Sequence, residues 1–303
     1  MRQRALLFAA VANLLGGLSY LWQKLALAGL PPLTVAAGRN LIGIVLLFFW
    51  AKKRNSVQWV YPRQDALRLF IVGTCAYAIP LTLGIVGLQW STASNASILI
   101  LLEPAAILVF ARILLGEQLR PRHIVGVACG LFGAMFIVTE DADLSVVLQS
   151  EHFKGNAILF AHGILWGLYS PLIRDLSRKY DPVSLTLSVM TIAMLVLGPA
   201  ALTERHRWLD HPDQLSQALI YTAVLGVAVS FASTVLWTLA LRNIQANTMA
   251  TFVFLQPLAG VASGALLLNE HLTSRAIVGS VLIAVGILAV TLNRSKKEPE
   301  PPL

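Results

Sequence analysis

The chain has 303 residues, of which 56% are hydrophobic and only 13% charged, with a formal net charge of +8; its mean hydropathy is +0.71. A water-soluble domain of this length carries about 25% charged residues, so the composition excludes a soluble globular fold. The basic excess falls at the ends of apolar segments, which reads as membrane topology and excludes a nucleic-acid surface.

A spanning helix needs roughly 20 apolar residues. Cutting the apolar runs at charges, prolines and polar clusters gives ten spans: Ala5–Ala28, Leu33–Trp50, Leu67–Leu88, Ala93–Leu115, His123–Val138, Gly155–Ile173, Val183–Leu202, Leu215–Ala240, Ala246–Leu268 and Ser274–Leu292. The expected fold is an all-α integral membrane protein with ten transmembrane helices. No run alternates apolar and polar residues as the roughly ten-residue strands of a membrane barrel do. The start, Met1-Arg2-Gln3-Arg4 and its apolar run, imitates a signal peptide, but the run is long for a signal core and Lys24 interrupts it.

With the N-terminus inside, seventeen of the 23 Lys and Arg fall on the inner side, and only Lys154, Arg205, Arg207 and Arg275 fall outside. This bias predicts a multi-pass protein of the cell inner (plasma) membrane with both termini cytoplasmic. Residues 294–303 read as a disordered cytoplasmic tail.

The chain contains one piece twice. Ala93–Gly133 overlays Ala246–Gly286 at a constant offset of 153, with thirteen of forty-one positions identical, among them Pro104/Pro257, Glu117/Glu270, Arg122/Arg275 and Gly126/Gly279. Five spans per half is an odd number, so the halves 1–139 and 155–293 enter the membrane in opposite senses. Such an inverted-topology repeat is a signature of secondary transporters.

Each half resembles one unit of the drug/metabolite transporter superfamily, in its EamA branch. The first helix of such a unit tends to show Trp-Gly followed by a basic residue. Here these are Trp166-Gly167 with Arg174, and Gly16-Gly17 with Lys24. The fourth helix tends to carry a proline and to end in Leu-Gly-Glu, here Pro104 with Leu115-Gly116-Glu117 and Pro257 with Leu268-Asn269-Glu270. The sequence departs at Gly16, where Trp is usual, and at Asn269, where Gly is usual. The resemblance implies export or exchange of small metabolites across the cytoplasmic membrane.

Glu103 lies near the middle of the fourth span and Arg39 about 6 Å away in depth, in the second span. The repeat mates of these two are Gln256 and Val189, so both charges are present in one half and absent in the other. That pattern suits an ion pair, which either locks two helices or offers a carboxylate and a guanidinium to an amino acid. Glu103 alone could also carry a proton. His162, Trp166 and Tyr169 share one face of the sixth span; Asn13, Gly17, Tyr20 and Lys24 share one in the first; Ser230, Ser233 or Thr234, and Trp237 form a third stripe. Ser94 and Asn95 match Asn247 and Thr248. These faces read as cavity lining or as interhelical hydrogen bonding. The candidate substrate-binding residues are therefore Glu103, Arg39, Trp166, Tyr169, His162, Asn95, Gln256 and Trp237.

Pro104 and Pro257 are expected to hinge or bend their helices symmetrically near the centre. Gly126, Gly130, Gly133, Gly279 and Gly286, with Gly260 and Gly264, serve close helix packing or a homodimer face. Cys75 and Cys129 read as buried small residues, and Glu117 and Glu270 as helix-end hydrogen bonders. No phosphate loop, nucleophile elbow or paired-His helix is present, so no catalytic residue, cofactor or metal is expected. The expected partners are a small-molecule substrate and the bilayer. The predicted function is a secondary active exporter of amino acids or related metabolites. The alternatives are efflux of cationic drugs and a membrane enzyme acting on lipid-linked substrates. The enzyme would have to use the acidic loop Glu140, Asp141 and Asp143, which lacks a partner motif.

Overall fold

The computed structural model describes residues 2–91, 99–138, 153–259 and 274–292, and these residues form helices and turns without strands. We number the helices α1 Arg2–Leu27, α2 Pro32–Lys53, α3 Arg63–Gln89, α4 Leu102–Leu115, α5 Pro121–Val138, α6 Phe153–Lys179, α7 Pro182–Thr203, α8 Leu215–Leu241, α9 Ala246–Phe252 and α10 Ser274–Thr291. Six of them, α1, α2, α3, α6, α7 and α8, are long and apolar enough to cross a membrane, and α5 and α10 are shorter apolar helices. The fourth and ninth spans are only partly within the described residues. Large apolar side chains such as Leu7, Phe49, Ile113, Phe132, Leu195 and Ile220 face outward, as lipid contact requires.

Local chemistry sets the helix ends. Prolines open α2 and α7, where a missing N–H costs nothing. The Asp181 carboxylate accepts from Val183 N and Ser184 N at the start of α7. Gly116 ends α4 at φ 64°, a left-handed position that favours glycine. In α3 the ladder widens to a π-turn over Thr74–Ala78. Pro80 lacks an N–H and crowds the carbonyl four residues back, so the wider turn accommodates it.

Packing is pairwise. α2 lies against α7, with Asn40 Nδ2 donating to Met190 O at 3.0 Å. α1 lies along α8, α3 along α6, and α5 against α10. At the last crossing, Gly126 faces Gly286 and Gly133 faces Gly279, and a Cβ on any of them would strike the opposite backbone. The glycine stripe therefore packs inside the chain; Gly260 and Gly264 lie outside the described residues. The two cysteines are free, but Cys75 is exposed and Cys129 half-buried, so the expectation of buried thiols is corrected. A small thiol is tolerated on a lipid-facing surface.

Glu117 joins the two halves of the chain. It accepts from Ala246 N and Asn247 N at 3.1 Å, capping α9, and pairs with Arg174 Nη1 at 2.8 Å. Arg174 also donates Nε to Ile244 O at 3.2 Å, and the two side chains are 3% and 4% exposed. Removing one partner strands a buried charge, so Glu117→Ala is expected to destabilise the fold by about 3–5 kcal/mol. Thermal unfolding of the detergent-solubilised protein checks this; a variant that melts with the native chain would make the pair dispensable.

Candidate functional site

A cavity of about 140 Å³ lies in the middle of the bundle. It is shaped by two helix breaks. Ile100-Leu101 and Val253-Phe254 are turns, at the repeat offset of 153, and the helix resumes beyond each. Each turn sits four and three residues before a proline, Pro104 or Pro257, whose ring excludes the helical position of the carbonyl four residues back. Both halves respond alike: Glu103 N and Gln256 N bond three residues back, to Ile100 O and Val253 O at 3.0 Å. The two breaks stand at equivalent positions before Pro104 and Pro257, and Glu103 and Gln256 both line the cavity.

Seven of the eight sequence candidates line this cavity: Arg39, Glu103, His162, Trp166, Tyr169, Trp237 and Gln256. Asn95 lies outside the described residues. Glu103 is 2% exposed, and its Oε1 has no hydrogen-bond partner among the described residues. The anticipated Glu103–Arg39 ion pair is not formed. Arg39 instead donates Nε to Ser230 Oγ at 3.1 Å and lies within electrostatic reach of Tyr77. Depth along a helix does not fix the direction in which a side chain leaves it, and Ser230 on α8 is the nearer partner. Gln256 donates Nε2 to Asn13 Oδ1 at 3.2 Å, so part of its polar capacity is used inside the protein.

The aromatic residues form a connected wall. Tyr77 stands 5.8 Å from Trp166 and 6.0 Å from Tyr169, and His162 stands 5.8 Å from Trp166, ring centre to ring centre. Hydrogen bonds hold this wall in place. His162 Nδ1 meets Pro80 O at 2.7 Å, and since a carbonyl only accepts, that nitrogen carries the proton. Trp237 Nε1 donates to Ser170 Oγ at 3.1 Å, and Tyr169 Oη reaches Thr238 Oγ1 at 3.5 Å. Ser233 Oγ donates to Ala12 O, which ties α8 to α1. Lys24 points to the exterior, and the Tyr20 side chain is outside the described residues. Among the described residues no group of three His, Cys, Asp or Glu could hold a metal ion.

Sequence reasoning passed over Tyr77, Ser19 and Gln23, which also line the cavity, and left Asn13 between cavity lining and interhelical hydrogen bonding. Tyr77 carried a signal, being a tyrosine within an apolar run three residues before Pro80. It also missed the Glu117–Arg174 pair, which joins two helix ends from different halves.

A sequence model of the EamA-like transporter family matches twice, over residues 3–139 and 153–292. An uncharacterized transporter of Archaeoglobus fulgidus is 25% identical over 299 residues, covering 96% of this chain and 98% of its own. A probable amino-acid metabolite efflux pump of Escherichia coli is 24% identical, covering 89% of each chain. One solved structure superposes with a TM-score of 0.81 at 18% identity, over 97% of this chain and 100% of its own, which shows a shared fold.

The cavity makes a direct prediction about access. With Cys75 and Cys129 replaced by serine, Glu103→Cys and Gln256→Cys are expected to react with a small water-soluble thiol reagent at least about tenfold faster than Ile107→Cys, whose position is fully enclosed. Equal labelling rates at the three positions, followed by mass spectrometry, would contradict a water-accessible cavity.

Proposed function

The chain belongs to the EamA-like transporter family, and on that premise we propose that it is a secondary transporter exporting amino acids or related small metabolites across the cytoplasmic membrane. The observation that carries this reading is the central cavity, in which a buried carboxyl with an unpaired oxygen and a guanidinium face the same space without neutralising each other. An amino acid presents one complementary group to each: its ammonium to Glu103 and its carboxylate to Arg39. The aromatic wall accepts the apolar part of the substrate. The name of the Escherichia coli relative, a probable amino-acid metabolite efflux pump, points the same way.

Alternating access is the mechanism for two inverted five-helix halves. Three features support that architecture here: the double family match, the matching breaks before Pro104 and Pro257, and the reciprocal glycine contacts of α5 and α10. In those contacts Gly126 meets Gly286, the mate of Gly133, while Gly133 meets Gly279, the mate of Gly126, which is how a two-fold relation pairs residues. The orientation with both termini cytoplasmic follows from the basic residues. Glu103 couples export to proton entry: arrival of an ammonium from the inside displaces a proton, and a proton from the outside displaces the ammonium.

A second reading, efflux of organic cations, is favoured by the same unpaired carboxyl beside aromatic faces. Arg39 in the same cavity argues for the zwitterion.

Flux in proteoliposomes tests both readings. Labelled amino acids are expected to move with an imposed pH gradient, and Glu103→Gln, folded as judged by its melting temperature, is expected to lose at least about tenfold of that flux. Dye movement without amino-acid movement would select the cation reading, and undiminished flux in Glu103→Gln would remove Glu103 from the mechanism.

A further inference from the structure

The two halves put Glu103 and Gln256 in equivalent places, yet their polar partners differ. Gln256 is met by Asn13, whose Oδ1 accepts from its amide and whose Nδ2 donates to Ala9 O at 2.7 Å. The offset of 150 that joins Gly16-Gly17 to Trp166-Gly167 makes Gly163 the mate of Asn13. Packing supports the match. A Cβ on Gly17 would meet Ala259, and a Cβ on Gly167 would meet Ala106, which are themselves mates at offset 153. A Cβ on Gly163 would sit 3.1 Å from Leu99 O and 3.8 Å from Glu103 N, so a side chain there would run beside Glu103. Glycine leaves that place without an amide, and Glu103 Oε1 remains buried with no hydrogen-bond partner among the described residues.

A buried oxygen without a partner is destabilising, and folded proteins retain few of them. Here the missing partner differs between the halves by a single side chain. We infer that Gly163 is the positioning residue that reserves Glu103 for the ammonium of the substrate, which sits where the Asn13 amide sits in the other half. This rests on the transport reading and names the end of the substrate that the site recognises: an alkylammonium with an apolar body. An ammonium supplies three N–H donors and a charge to the carboxylate. The faces of Tyr77 and Trp166 add cation–π attraction and accept the apolar body. A neutral side chain at position 163 would compete for the same oxygen and weaken this end of the site alone.

The test uses the purified full chain in detergent and three probes, with affinities measured by calorimetry: phenethylamine, phenylalanine and 3-phenylpropionate. In Gly163→Asn, phenethylamine and phenylalanine are expected to bind at least about tenfold more weakly, while 3-phenylpropionate is unchanged. The Cβ at 163 comes close to Leu99 O, so a second variant guards against simple misfolding. Asn13→Gly with Gln256→Glu, built in a Glu103→Gln background, recreates the unmatched carboxyl in the other half and is expected to recover the phenethylamine binding that Glu103→Gln loses. The inference is overturned if the native chain does not bind phenethylamine, or if Gly163→Asn leaves its affinity unaltered. Equal loss of all three probes without recovery in the reciprocal variant overturns it as well. The transport reading fails separately: a native chain that binds phenethylamine through Glu103 but moves no solute in liposomes would sink transport and leave the ammonium site standing.

Discussion

The site depends on what a proline does to a helix. Pro104 and Pro257 cannot donate to the carbonyls of Ile100 and Val253, and their rings exclude those carbonyls from helical positions. In water such a break would be solvated at once. In a bilayer each freed backbone group needs a partner, and here Glu103 N and Gln256 N supply one to Ile100 O and Val253 O by bonds three residues back. The breaks also aim Glu103 and Gln256 inward, because the residue just before each proline begins the resumed turn.

The duplication then makes the differences between halves informative. Where the second half has Gln256 bonded to Asn13, the first has Glu103 with an unmatched oxygen beside Gly163. Where the second half has Val189, fully buried, the first has Arg39 held by Ser230. Both substitutions add a charge to the same half and to the same cavity. Structural economy alone would have joined the charges in a pair, since an unpaired charge is costly in a membrane interior. Arg39 is anchored to α8 instead, leaving Glu103 without a protein partner among the groups that face it.

Much of the fold is legible in the sequence because a bilayer imposes a length on apolar runs. The long helices α1, α2, α3, α6, α7 and α8 coincide with runs marked by apolarity alone, with their ends displaced where polar residues continue a helix past the membrane, as in α6, which extends to Lys179. The polar candidates were legible for a related reason: Glu103, Arg39 and His162 stand out in apolar surroundings, and the structure gathers them around one cavity. Direction was not legible. Sequence position gives the depth of Arg39 and of Glu103 but not the angle at which each leaves its helix, and the expected ion pair failed on that angle. Tyr77 was obscured because tyrosine is common in apolar helices and its neighbours on α6 and α8 are distant in sequence. Cross-half contacts such as Glu117 with Arg174 and α9 arise only when the two halves are folded together.

The polar contacts around the bundle differ in how far they are enclosed. Lys179 pairs with Asp65 at 3.1 Å; the lysine side chain is 61% exposed, while the Asp65 side chain is 6% exposed and also accepts from Tyr180 Oη. Arg54 with Asp181, at 3.7 Å and half in solvent, is weaker. Both link α3 and the α2–α3 turn to the junction of α6 and α7. Tyr61 and Tyr180 reinforce that junction through an edge contact at 4.9 Å, a bond from Tyr61 to Ser188 and one from Tyr180 to Asp65. The Glu117–Arg174 pair is different: it is enclosed, and it holds two backbone N–H groups of α9 and the carbonyl of Ile244 as well. Breaking it would bury two uncompensated charges. At the end of the bundle where α3 begins, the ion pairs to the α6–α7 junction each have one partner open to solvent, while the enclosed Glu117 pair ties α4, α6 and α9 together. Glu103 belongs to α4 and its aromatic neighbours Trp166 and Tyr169 to α6, while His162 Nδ1 meets Pro80 O and Tyr77 stands against Trp166, so α3 is joined to the same wall at the level of the cavity.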